Sequence, residues 1–473
     1  MFDLKNIKYI HMLGICGTGM GSLACLLKEA GYKVTGSDEN VYPPMSTQLE
    51  QAGIQTFQGY KPENLAQQRP DIVIIGNVIS RGNPEGESVI SSGIKYLSMP
   101  QAVAELFIKD KHSIVIAGTH GKTTTSTLCA WLIEKSGKSP SFLIGGVGQN
   151  FGSSARIGSS DYFVIEGDEY DTAFFDKGPK FLHYRPKSLI LTPVEFDHAD
   201  IYRDLDHVLS SFRKLIDIMP KDGLVCACTD SQNVAGLIKN AKCKVVTYGF
   251  SDVADYVPKN IVDKQAGSSF DIFHKGEKIG NFDAPFYGKH NIQNAAGVIA
   301  LLCELHFPID RISQGLETFR GIKRRQEIRG RANGVTVIDD FAHHPTAIRE
   351  TIQSVRSHYS NGRLISVFEP RSNTSRRNIF QHEFAKSFAG TDIAVIANVH
   401  RADKLEESER LDIKLLIDEM NSLGFRAFHF DTTEKIVEFV AKEAKKEDVV
   451  LIMSNGGFDN IHERLLIKLK TNV

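Results

Sequence analysis

The chain alternates short apolar runs with glycine-rich or polar turns and helical stretches. Tyr9-Ile10-His11-Met12-Leu13 leads into Gly14-Ile15-Cys16-Gly17-Thr18-Gly19-Met20-Gly21 and a helical pattern to about Ala30. Lys33-Val34-Thr35-Gly36-Ser37 ends at Asp38, and Ile72-Val73-Ile74-Ile75 ends at Gly76-Asn77. Strand–helix alternation of this kind predicts a parallel, Rossmann-like sheet. A second series holds Ile114-Val115-Ile116, Tyr162-Phe163-Val164-Ile165 and Leu189-Ile190-Leu191. Alternating pieces near 250–287, such as Ser269-Phe270-Asp271-Ile272-Phe273, predict a small antiparallel insertion, and a helix runs from Asn291 to about Cys303. From about Arg324 a third series begins: Val335-Thr336-Val337-Ile338, Leu364-Ile365-Ser366-Val367-Phe368, Ile393-Ala394-Val395-Ile396 and Val449-Val450-Leu451-Ile452-Met453.

The expected fold class is α/β with three domains: a Rossmann-like domain over 1–108, a P-loop ATPase-like central domain over 109–323, and a Rossmann-like C-terminal domain over 324–473. Three domains suit 473 residues on length alone. Composition narrows the class: 41% apolar and 24% charged residues are ordinary for soluble globular chains. A net charge of -1, without a basic block, argues against a nucleic-acid partner. No apolar run approaches the ~18 residues of a membrane span. The seven cysteines are scattered, and Cys226 and Cys228 form only a lone C-x-C. With no signal peptide before the first strand pattern, free thiols and a cytoplasmic location are expected.

The most informative chemistry lies in Ala117-Gly118-Thr119-His120-Gly121-Lys122-Thr123-Thr124, between an apolar run and a helical pattern. Such a loop offers a phosphate backbone N–H groups, a helix N-terminus and a lysine charge. The full phosphate-loop pattern has a glycine where Ile116 stands. Val164-Ile165-Glu166-Gly167-Asp168-Glu169-Tyr170-Asp171 puts acids just past a strand, where magnesium finds oxygen ligands. Glu166 comes first off that strand; a solvated acidic loop is the other reading. His198, in Glu195-Phe196-Asp197-His198, is a candidate for a second metal or the γ-phosphate. Tyr287-Gly288-Lys289-His290-Asn291-Ile292-Gln293-Asn294 opens a helix, with Asn291 and Asn294 on one face. They suit an adenine edge or a phosphate, or else Asn291 or His290 caps the helix. Lys323-Arg324-Arg325 and Asp339-Asp340-Phe341-Ala342-His343-His344-Pro345 flank the start of the third series. Near the N-terminus, Gly17 and Gly19 fit a dinucleotide fingerprint, but Ser22 takes the third glycine position. Asp38 stands where an acid would meet a ribose.

In this order the motifs resemble the Mur ligases, ATP-dependent amide-bond-forming enzymes of bacterial cell-wall synthesis, over essentially the whole chain. Within that family a phosphate loop lacking its first glycine is normal. The resemblance implies that ATP and Mg2+ are used. Gly118, Thr119, His120, Gly121, Lys122, Thr123 and Thr124 would hold phosphates, and His290, Asn291 and Asn294 the adenine end. Thr123, Glu166 and His198 would hold magnesium. Arg325 would contact phosphate, and Asp340 would act from the third domain. Gly17, Thr18, Gly19, Met20, Ser37 and Asp38 would bind the UDP of a UDP-sugar, here UDP-N-acetylmuramate.

Two family activities fit that sugar. One joins it to free L-alanine in de novo peptidoglycan synthesis. The other joins it to the recovered tripeptide L-alanyl-γ-D-glutamyl-meso-diaminopimelate in peptidoglycan recycling. Segments 40–47, 169–177, 341–348, 369–374 and 454–458 look like the recycling activity. Glu166 and His198 are 32 positions apart, where the L-alanine enzyme usually has a shorter connection. Arg371 and Ser372 would bind the tripeptide's carboxylates, since arginine suits planar anions. Pro193 stands where the family commonly has asparagine, and Gln326 where an apolar residue is usual. Arg213 lies near the place of the carbamylated lysine of other members. A nicotinamide-dependent oxidoreductase, which leaves the phosphate loop idle, and a non-catalytic UDP-sugar-binding subunit are the other classes considered.

Overall fold

The computed structural model describes residues 6–41 and 45–471. Tyr42-Pro43-Pro44, part of the segment 40–47 singled out above, lies outside the described residues. The described residues form three parallel-cored sheets flanked by helices, as the apolar runs predict.

The first sheet has five parallel strands in the order Gln55–Gln58, Lys33–Asp38, Tyr9–Leu13, Ile72–Ile75, Tyr96–Ser98. Tyr9–Leu13 is buried throughout. The order reverses beside it, so the loop after Leu13 sits at the switch point where doubly wound sheets bind ligands. Gly14, at φ +79, turns the chain there and leads into helix Thr18–Glu29.

The central sheet has ten strands. Six form its parallel core, in the order Lys244–Tyr248, Leu224–Cys228, Ser188–Leu191, His112–Ala117, Tyr162–Gly167, Ser141–Gly148. The expected antiparallel insertion is present as Tyr256–Lys264, Gly267–His274 and Glu277–Ala284. It lengthens the central sheet through a Tyr248–Tyr256 pairing instead of standing apart. Helices Lys122–Lys135 and Lys289–Glu304 share one apolar core with this sheet, through Leu128, Leu132, Ile299 and Leu302.

The third sheet runs Glu327–Ala332, Val335–Asp340, Val449–Met453, Leu364–Phe368, Ile393–Ala397, Arg426–Phe430, with only the first strand antiparallel. Its connection to the central sheet is pinned: Ile322 bridges Gly148, and Lys323 N–H donates to Val147 O at 3.1 Å. Past that point Arg324 (φ +63) and Gln326 (φ +49) adopt left-handed conformations that non-glycine residues rarely take. All seven cysteines are free, and no helix among the described residues is long and apolar enough to cross a membrane.

Candidate functional site

Strand His112–Ala117 delivers the phosphate loop. Gly118 lies at φ +137, and a Cβ there would stand 2.1 Å from Thr192 Oγ1. Gly121, at φ +80, is the N-cap of helix Lys122–Lys135, and its Cβ would stand 2.5 Å from Asn294 Oδ1. Both positions therefore demand glycine. No side chain caps this helix, which leaves its first N–H groups facing the pocket. Thr119 is fixed by its N–H to Pro193 O (2.9 Å) and its hydroxyl to Glu195 O (3.0 Å). Proline at 193 thus serves through its carbonyl. Lys122 Nζ donates to Gly118 O (2.6 Å) and to the buried carboxylate of Glu169 (2.8 Å).

Strand Tyr162–Gly167 pairs in register with the loop's strand, so Glu166 lies opposite Ile116. Its Oε1 accepts Gly145 N–H at 2.6 Å, and its Oε2 accepts the Thr123 hydroxyl at 3.2 Å. Burial, with the charge of Asp168 nearby, pushes the Glu166 carboxyl up to about 7. Desolvation works against the charge of half-buried Asp168, yet Lys180 and Lys122 hold it below the usual carboxylate range. His198, at φ +54, points to the neighbouring acid: its Nε2 is 3.6 Å from Glu169 Oε1. Lys122, Thr123 and Glu166 are thus brought together, while His198 stands on the Glu169 side of the cluster.

A pocket separates the central sheet from the third. The central domain lines it with Gly121, Thr124, His290, Asn291 and Asn294, and the third with Arg325 and Asp340. Phe286 and Phe319, edge to face at 6.3 Å, supply apolar wall. Helix Lys289–Glu304 is capped by Gly288 without any side chain, so the capping reading of His290 and Asn291 fails. Asn291 instead donates to Tyr287 O at 2.8 Å. Burial and the Arg325 charge depress His290 to about 4, so it is neutral near pH 7. Arg324 is occupied by Ser454 O (2.6 Å) and Gly456 O (2.7 Å), leaving Arg325 as the pocket arginine. Asp340 accepts Gln326 N–H and Ala342 N–H, each at 2.8 Å, and burial raises its carboxyl. The Gln326 amide oxygen accepts the Ser354 hydroxyl at 3.1 Å.

Arg371 and Ser372 follow strand Leu364–Phe368. The Arg371 guanidinium lies against Gly456, where a Cβ would stand 2.0 Å from its Nε, and 3.5 Å from Glu369. Ser372 bonds Ser375 (2.9 Å) within a tight turn. The same turn docks on the central domain: Thr374 donates to Asp197 (2.7 Å) and Asn373 to Asp200 (2.8 Å). Sequence reasoning did not single out Glu169 or Thr374. Glu169 carried a signal, as an acid two residues past the strand that bears Glu166; Thr374 fell within the segment 369–374 noted above, with nothing local to point to its partner Asp197.

At the first sheet, Gly17, Thr18 and Gly19 are exposed at the N-terminus of helix Thr18–Glu29, and Met20 is buried. A Cβ at Gly17 or Gly19 would meet nothing closer than 3.6 Å, so internal packing does not require glycine at either position. An approaching ligand supplies a reason. The Asp38 carboxylate accepts Cys16 N–H (2.9 Å) and Asn40 N–H (3.1 Å), so it shapes this loop. Ser37 O accepts Gly14 N–H at 2.9 Å, and the buried Ser37 hydroxyl has no partner among the described residues.

Known proteins agree with this layout. Residues 9–111 match the profile "Mur ligase family, catalytic domain", residues 116–302 "Mur ligase middle domain", and residues 324–456 "Mur ligase, glutamate ligase domain". The UDP-N-acetylmuramate–L-alanyl-γ-D-glutamyl-meso-2,6-diaminoheptandioate ligase of Escherichia coli (strain K12) is 40% identical, covering 97% of each chain. The UDP-N-acetylmuramate–L-alanine ligase of Clostridium tetani is 33% identical, covering 96% of this chain and 97% of its own. The crystal structure of a murein peptide ligase from Psychrobacter arcticus 273-4 superposes with a TM-score of 0.74 at 36% identity, covering 98% of this chain and 99% of its own.

Proposed function

The chain belongs to the Mur ligase family, and we propose that it joins UDP-N-acetylmuramate to L-alanyl-γ-D-glutamyl-meso-diaminopimelate in peptidoglycan recycling, in the cytoplasm. It is an ATP-dependent amide-bond-forming ligase. The choice of tripeptide over free L-alanine rests on higher identity to the relative named for the tripeptide, 40% against 33%.

One observation carries the catalytic reading. A lysine-bearing phosphate loop faces a pocket whose other wall, with Arg325 and Asp340, comes from the third domain. The muramate carboxylate attacks the γ-phosphate of ATP, giving an acyl phosphate and ADP. The tripeptide's amine then attacks the acyl carbon, and phosphate leaves. Lys122 and Arg325 stabilise the charge that spreads over the transferring phosphoryl group, where positioning and electrostatics supply most of the rate. His290, Asn291 and Asn294 hold the adenine end, and Gly17, Thr18 and Gly19 receive the UDP diphosphate at a helix N-terminus. Arg371 orients a carboxylate of the tripeptide.

Thr123 and Glu166 suit magnesium, because they present two oxygen donors 3.2 Å apart. They would hold one ion, and His198, on the Glu169 side of the cluster, would complete a second magnesium site. Bound there, magnesium would neutralise phosphate charge.

The test is phosphate release from ATP with UDP-N-acetylmuramate, comparing the tripeptide with L-alanine. Turnover should be faster with the tripeptide. Faster turnover with L-alanine would overturn the choice.

A further inference from the structure

The loop after strand Ser188–Leu191 carries Glu195 to a place where two histidines from different domains meet it. His120 Nε2 of the phosphate loop lies 3.1 Å from Glu195 Oε2. His344 Nδ1, from the N-cap of helix Pro345–His358 in the third domain, lies 3.7 Å from the same oxygen. The ligand atoms of all three residues fall within 4.8 Å of one another. The imidazole rings of His120 and His344 are 4.7 Å apart.

The hydrogen-bond pattern fixes the tautomer of His344. Its Nε2 lies 3.2 Å from Phe196 O, which only accepts, so Nε2 carries the proton. Its Nδ1 accepts the Thr346 N–H in a long contact of 3.3 Å, so that nitrogen carries no proton of its own. The carboxylate oxygen facing it already accepts from His120 and from the Thr346 hydroxyl, the latter at 2.7 Å. The unprotonated Nδ1 and the carboxylate oxygen therefore face each other at 3.7 Å with no proton of either between them, and a cation there would replace only the long Thr346 N–H contact. A cation is the natural complement. The Nε2–H bond to a backbone carbonyl is also the outer-shell contact that metal-binding histidines make.

We propose that His120, Glu195 and His344 form a binding site for a borderline-soft divalent cation of the Zn2+ class, bridging the central and third domains. Two imidazoles and a carboxylate select zinc, cobalt or nickel over magnesium, which prefers all-oxygen sites. Three protein ligands leave a fourth position for water. Binding requires the Nε2 proton that His120 directs at Glu195 to leave that nitrogen, for Nδ1 or for solvent. The ion then ties the phosphate loop to helix Pro345–His358 and holds the third domain against the central one.

The experiment uses the full chain, stripped with chelator and titrated calorimetrically with zinc chloride in saturating magnesium, which occupies oxygen-rich sites. One zinc ion per chain should bind. Glu195→Gln, and His344→Asn, which preserves a capping side chain, should each weaken binding by at least ~10-fold. Zinc should raise the Tm of the wild type and not of His344→Asn. Failure of the wild type to bind zinc under magnesium would overturn the proposal, as would wild-type affinity in both folded variants.

Discussion

The Thr374 hydroxyl donates a 2.7 Å hydrogen bond to Asp197 Oδ1 across the junction of the third and central domains. Both residues are buried. Asp197 Oδ1 also accepts the backbone N–H of His198 at 2.7 Å. One carboxylate therefore links the turn that bears Arg371 to the residue carrying His198. Burial works against its charge, but His198, His343 and His344 hold the Asp197 carboxyl far below its usual range.

Removing that donor should uncouple the two domains. A hydrogen bond to a charged group contributes about 1.5–3 kcal/mol. Thr374→Val should lower kcat/KM for the tripeptide by roughly 10- to 100-fold on that scale. The KM for ATP should stay near wild type, because Thr374 does not line the pocket proposed for the nucleotide. Steady-state kinetics with each substrate varied in turn checks this.

Lys122→Met should abolish measurable ligation, with kcat down by at least ~10^2. It should also destabilise the fold by about 3 kcal/mol, because Glu169, 2% exposed, would lose its nearest cation and keep only the His198 ring at 3.6 Å. Adding Glu169→Gln should restore much of the stability and none of the activity. Denaturant unfolding read beside phosphate release separates the two effects.

Glu166 should make magnesium binding pH-dependent. Its ordinary value is 4.5, and burial raises it to about 7. Between those values the metal-free native chain keeps a proton that the unfolded chain has lost. Metal-free stability should therefore fall as pH rises from about 4.5 to 7 and level off above. Magnesium must displace that proton, so its affinity should rise with pH up to about 7 and then flatten. Calorimetric titrations at several pH values in metal-free buffer give both slopes, and Glu166→Gln should remove both.

Arg371→Ala should raise the KM for the tripeptide about tenfold, equivalent to one charge-assisted contact. The KM for UDP-N-acetylmuramate should not change. An unchanged tripeptide KM would remove Arg371 from the peptide site. Arg371→Lys should recover only part of the loss, since a point charge cannot make the bidentate contact.

Much of the fold was legible because buried parallel strands read as continuous apolar runs, as in Ile72–Ile75 and Val449–Met453. Gln55–Gln58 and the hairpin Asp171–Ala173/Asp176–Pro179 were not legible. They are short and polar, and their partners rather than their composition make them strands. The antiparallel pieces near 250–287 were recognised, but nothing local reveals that Tyr256 pairs with Tyr248. At the site, the phosphate loop and Glu166 could be read because a strand end followed by glycine and lysine is a local string. The position of His198 beside Glu169 could not be read, because it depends on a left-handed backbone at that residue. The Thr374–Asp197 bond spans 177 positions and leaves no periodic trace.

The segment Arg324–Gln326 is where the chain changes hands between the two sheets. The chain is clamped to the central sheet through Lys323, and beyond it two residues hold uncommon backbone angles. Arg324 is bound to Ser454 and Gly456, and Gln326 to Asp340, so the far side moves with the third sheet. A point on an axis travels least when a body swings. Arg325 lies within that segment, whereas Arg371 and Thr374 lie farther out in the third domain, so a swing about the junction would displace them more. Such a swing would sweep the turn that bears Arg371 through an arc while Arg325 stays nearly in place. Capture of a ligand at Arg325 and capture of one at Arg371 would then be separable in time, the first needing no large movement and the second waiting for the third domain to return.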